Sequence, residues 1–100
     1  MATEMAWFVY ITVIALASPA DKSEPYFVPG DVIESGLVAV AQGSNSKEQE
    51  QNCHKGGKML ENILETVGEG SVEVFYTCLK LPAEIEKIQE ETYGPLGEPV

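Results

Sequence analysis

The chain contains no arginine. All six of its basic residues are lysines, and sixteen acidic residues set against them give a formal charge of -10 over 100 residues. Without guanidinium groups, the bidentate phosphate and base contacts typical of nucleic-acid readers are missing. The acidic excess also repels phosphate backbones and anionic membrane surfaces. No nucleic-acid partner is expected, and the natural electrostatic complement is another protein with a basic face. The plainer reading is a soluble acidic surface, because net charge speaks to association and not to fold.

Chemistry-bearing residues are equally scarce. His54 is the single histidine. It sits beside Cys53, and neither a C-x-x-C nor an H-x-x-x-H spacing occurs to build a structural zinc site. Neighbours on a helix diverge by about 100°, so Cys53 and His54 do not face each other as nucleophile and base. Gly56-Gly57-Lys58 lacks the first glycine, the preceding strand and the following Ser/Thr of a phosphate loop. No acidic run has the register of a calcium loop. The expectation is a non-enzymatic chain with no catalytic residue, no metal and no cofactor.

One hundred residues make one small domain, with a stability of about 5 kcal/mol and little to spare for a strained catalytic site. A hydrophobic content of 44% keeps it out of the disordered class. Residues 6–17, AWFVYITVIALA, are an apolar run interrupted only by Thr12. The run is too short to span a bilayer, which needs roughly 20 residues. It matches a signal-peptide core, with cleavage near Ala17 or Ala20, or else the first buried helix of the domain. A membrane partner enters only if this segment is retained in that role. Cys53 and Cys78 can close a disulfide if the protein is secreted; in a reducing cytosol they are inert buried thiols.

Beyond a polar connector holding Pro25 and Pro29, residues 31–41 form a short apolar segment broken at Gly36. Its stretch from Leu37 to Val40 reads as helix or as strand. Ser46 and Gln49 have the form of a capping box. The glycine pair at 56 and 57 implies close packing or a kink, unless the helix starts only near Lys58. Met59, Leu60, Ile63, Leu64 and Val67 then trace one buried helical stripe, ended by Gly68 and Gly70. Residues 71–81 carry strand-like VEVFYTC. They are nonetheless expected to be helical, for want of a second strand of comparable strength to pair with. Pro82 opens a last helix. The fold expected is all-α: an atypical apolar N-terminal segment over 1–20, a small helical bundle over 26–91, and a flexible tail over 92–100.

The run 58–80, with Met59, Leu60, Ile63 and Leu64, the turn at 68–70, and Phe75, Tyr76 and Leu79, resembles helices four and five of caspase-recruitment domains, members of the death fold. Val32, Ile33, Glu34, Ser35, Gly36 and Leu37 are similar to that family's second helix, and the resemblance covers about residues 26–90. It implies a cytoplasmic module that assembles homotypically with other death-fold domains in apoptotic or inflammatory signalling. Glu61, Glu65, Glu69 and Glu73 would supply an acidic face to a basic partner, with Leu60, Ile63, Phe75 and Leu79 in the core. The alternative is a small secreted helical protein, held by a Cys53–Cys78 disulfide, that binds a receptor or small ligand.

Overall fold

A computed structural model describes residues 4–16 and 30–100 of the chain. The order of elements is β1 (Met5–Ala15), β2 (Val32–Val40), α1 (Ser46–Val67), β3 (Val72–Pro82) and α2 (Ile85–Tyr93). The three strands form one sheet in the order β2-β1-β3, and β1 is antiparallel to both neighbours. β2 and β3 are therefore parallel to each other, and α1 is the crossover that carries the chain past β1. This is a mixed sheet-and-helix domain, so the expected all-α bundle is wrong.

The apolar run is the reason. It supplies β1, a strand and not the buried first helix that was one of its readings. Val9 and Ile11 point to the α1 side and Phe8 to the other, with 0%, 3% and 0% of their surfaces exposed. A strand buried on both faces reads as a continuous hydrophobic run, because neither face needs polar residues. β1 is also the missing partner for VEVFYTC, which pairs with it from Met5 opposite Pro82 to Ala15 opposite Val72. The segment around Gly36 pairs on its other side, with irregularities between Val9 and Tyr10 and between Val13 and Ile14. The cleavage positions Ala17 and Ala20, and the connector at 21–29, lie outside the described residues. Among the described residues no helix is long and apolar enough to cross a membrane.

α1 starts well before Lys58. Asn45 is its N-cap, accepting a 2.9 Å hydrogen bond from the Glu48 amide on its side chain. The cap thus sits one residue earlier than the Ser46 reading. Ser46 Oγ instead accepts from the Trp7 indole N–H at 3.1 Å, tying the helix start to β1. The glycine pair lies inside the helix because two other side chains fill its place. A Cβ on Gly57 would fall against the Tyr76 ring, 2.7 Å from Cγ, and one on Gly56 against the Val100 side chain. Cys53, wholly buried, is joined to Cys78 by a disulfide that staples α1 to β3, Cα to Cα 6.0 Å. Residues 92–100, expected as a flexible tail, finish α2 and then run beside β2. Gly97 N–H donates to Val38 O at 2.9 Å, Val100 N–H to Val40 O at 3.0 Å, and Gln42 N–H to Val100 O at 2.6 Å.

The two glycines should respond differently to alanine. Gly57→Ala forces the Tyr76 ring off a strand that cannot shift, and should cost about 1–2 kcal/mol in urea unfolding even after the gain in helix propensity. Gly56→Ala meets only the Val100 side chain, on a segment held to β2 by backbone hydrogen bonds and not by a full strand ladder. It should leave stability within about 0.5 kcal/mol while speeding amide exchange at Gln42 and Val100. Replacing both cysteines by alanine opens a link spanning 25 residues. That should lower stability by about 3 kcal/mol, read from the same denaturant curves.

Candidate functional site

α1 lies over β1 and β3 and leaves β2 uncovered beside it. Near its Val40 end β2 sends Ala39 into the core beside Val9, and further along the residues that turn toward the helix side are Glu34 and Gly36, paired with Val13 and Ile11. Neither can fill the space under a helix, since glycine has no side chain and the carboxylate seeks water. The result is a groove of about 820 Å³. Ile11, Val13 and Gly36 form its floor, and Leu60 and Leu64 of α1 its near wall. It extends past the β2 edge to Gln89, Tyr93 and Leu96. Glu34 is the one charged residue in its lining.

The apolar stripe of α1 continues outward beyond the groove. Ile63 and Val67 share the i, i+3, i+4, i+7 stripe of Leu60 and Leu64. They are 50% and 73% exposed, and Met59 one turn before them is 57% exposed. The stripe read as buried is therefore split. Its inner half packs on the sheet, and its outer half lies in solvent, where Met59 and Ile63 border a shallow depression with His54, Lys58 and Tyr76. Tyr93 is 79% exposed at the opposite wall.

The four glutamates expected to make one acidic face are dispersed. Glu61 and Glu65 sit one turn apart on α1. Glu65 Oε1 accepts from the Val74 N–H at 3.2 Å, so this carboxylate is engaged at the β3 edge. Glu69 stands in the turn between α1 and β3 with φ 51°, a left-handed conformation. Glu73 extends from β3 on the face away from α1, opposite Ile14. His54 is exposed, with Nδ1 3.3 Å from the Tyr76 hydroxyl and the two rings edge to face at 5.8 Å. The described residues hold no cluster of three or more His, Cys, Asp or Glu side chains that could grip a metal ion.

Compared with known proteins, the chain matches no family model, no curated protein and no solved structure. The architecture rules out the death-fold helical bundle, and no family match supports the apoptotic and innate-immune role attached to it. Residues 58–80 are the second half of one helix, a turn and a strand, and not two helices. Phe75, expected in the core, is 46% exposed on the sheet face away from α1.

The groove residues were hidden in sequence by their own ordinariness. Leu60 and Leu64 look like core, and Gly36 like a helix break. The available signal was an isolated glycine within a β-branched segment, which in a strand often marks a site that another group approaches closely. The split stripe gives a direct check. Leu60→Ala should cost about 2–3 kcal/mol in urea unfolding. Ile63→Ala, half exposed, should cost less than about 1 kcal/mol, against the similar losses that two core positions would give.

Proposed function

We propose that this chain is a non-enzymatic interaction module that receives an apolar segment of a partner protein in the groove between α1 and β2. The observation that carries this reading is the incomplete roof: one helix covers two of three strands, leaving an apolar floor beside an apolar helix stripe. Contiguous exposed apolar surface of this kind marks interaction sites in soluble proteins. An amphipathic helix laid in a groove, with anchors spaced i, i+3 or i+4 and i+7, is one recurrent way to fill it. Glu34 and the formal charge of -10 favour a partner segment with a basic residue near the β2 end and a basic surround.

The volume also suits a drug-sized apolar molecule, since small-molecule sites run from about 300 to 1,000 Å³. That second reading corresponds to a small-ligand carrier. Under either reading β1 is retained in the working protein, because cleavage near Ala17 or Ala20 would remove the central strand. The Cys53–Cys78 link favours an oxidising compartment, where such bonds persist.

Gly36→Trp separates these readings from an idle surface. Nothing lies within 4 Å of a Cβ built there. The indole should therefore fill the groove with a melting temperature unchanged within about 2 °C, as β-propensity partly offsets the buried ring. Peptides selected on the wild-type chain from a random helical library should carry spaced apolar anchors and a Lys or Arg. They should lose at least about tenfold in affinity for the Trp variant, and their basic preference should vanish on Glu34→Lys. Selected peptides that bind the Trp variant as well as wild type would remove the groove from the function. Blocking of a small apolar probe, with no peptide selected, would favour the carrier.

A further inference from the structure

The sheet has two edges, and the molecule treats them differently. The β2 edge is covered by the last residues of the chain, through the hydrogen bonds from Gly97 and Val100 and to Val100 already described. Among the described residues the β3 edge has no such cover. Ser71 O accepts from Leu16 N–H at 2.9 Å and Ala83 N–H donates to Glu4 O at 2.8 Å, so odd-numbered residues of this segment bond to β1. The alternation of an antiparallel ladder then turns the N–H and C=O of Val74, Tyr76, Cys78 and Lys80 outward. Among the described residues only Val74 N–H meets a partner on that side, the Glu65 carboxylate. From Tyr76 to Lys80 no described residue covers the edge.

A long bare edge rich in aromatic and β-branched residues is a template for another strand. The distribution of charge along it selects which strand. Glu65 and Glu73 stand near the Val72 end, and Lys80 stands near the Pro82 end. A second β3 running antiparallel would bring each lysine to the other's acidic end, as an isologous two-fold contact requires. A parallel copy would stack like charge on like.

We infer that β3 pairs antiparallel with β3 of a second copy of this chain, joining two three-stranded sheets into one of six strands. A two-fold axis at Thr77 places Tyr76 opposite the partner's Cys78 and Val74 opposite the partner's Lys80. On the other face it sets Phe75, 46% exposed in the single chain, against the partner's Leu79. Val74 N–H passes from Glu65 to the ladder, and the freed carboxylate meets the ammonium of the partner's Lys80. The groove beside β2 lies at the opposite edge of the sheet, so both copies keep it open.

The contact is short and each copy carries a formal charge of -10, so the dimer belongs to the weak class, forming at concentrations of about 10–100 µM. Sedimentation velocity of the oxidised full chain in physiological salt, over about 5–500 µM, should show a reversible rise toward twice the chain mass. Lys80→Glu and Glu65→Lys should each weaken it by about tenfold, and the double exchange should restore it. Lys80→Pro removes one outward N–H at an edge position that tolerates proline, and should also abolish the dimer. Circular dichroism melts confirm that each variant is folded. Gly36→Trp, in the groove, should leave the dimer intact. A chain that stays monomeric throughout would overturn the inference. So would a dimer that survives Lys80→Pro and the single charge reversals, or one that is lost on Gly36→Trp.

Discussion

β1 must satisfy hydrogen bonds on both edges and bury side chains on both faces. Nearly every other element takes its place from that double demand. A strand in this position carries apolar residues on both faces: Val9 and Ile11 are buried under α1, and Phe8 is buried on the other face beside half-buried Tyr10, Thr12 and Ile14. Its N–H and C=O groups are useful only if β2 and β3 are both present, since a buried backbone group left unpaired costs about 1–3 kcal/mol. The sheet is therefore cooperative about its middle. The chain is threaded with β1 first, one neighbour next, and the other neighbour only after the α1 crossover. Late closure of that kind joins residues far apart in sequence, and such contacts are slow to form because the intervening loop must be ordered first. The Cys53–Cys78 link falls across this closure, fastening the crossover helix to the strand that arrives last.

How α1 sits on this sheet decides what surface remains. Two glycines in mid-helix cost on the order of 2 kcal/mol in propensity, and the close contacts they admit offset it. Tyr76 from β3 enters at Gly57 and Val100 enters at Gly56. The Tyr76 contact and the disulfide both draw the helix toward β3. The floor under β2, made of Gly36 and Glu34, offers nothing to draw it back. The groove is thus the consequence of a lopsided seat. Its apolar lining is what is left when a stripe wide enough for three strands covers two.

Parts of this arrangement were legible in the sequence and parts were not. α1 could be read from 58 onward because its stripe has an unmistakable helical period, and the close packing at Gly56 and Gly57 was among the readings it allowed. The strands failed together, through one inference. Residues 72–78 have strand composition, but a strand needs a partner, and the only segment strong enough was the apolar run at 6–17. That run reads in sequence as a signal core or a buried helix. A two-face-buried strand has no period by which to distinguish it from either. Once one partner is misread, the other loses its warrant, and Leu37 to Val40 has nothing to pair with. Length gave no help, since eleven to twelve apolar residues fit a long strand as well as a short helix. The groove was less legible still. It depends on where α1 is not, and an absence over β2 leaves no mark on β2 beyond a glycine.

The charge of the chain takes on a different meaning with the strands in place. Read along the sequence, Glu61, Glu65, Glu69 and Glu73 recur every four residues and suggest one acidic helical face. The turn at Gly68–Gly70 and the change to a two-residue period in β3 scatter them over two faces and an edge. One of them, Glu65, is pulled inward to occupy a strand amide. A carboxylate in that position resists casual pairing at Val74, as edge charges do. It leaves the stretch from Tyr76 to Lys80 to be recognised only by a strand that brings a cation to meet it. Acidity on this chain thus acts at particular places on the sheet rim, and net charge is a poor guide to where an acidic protein is approached.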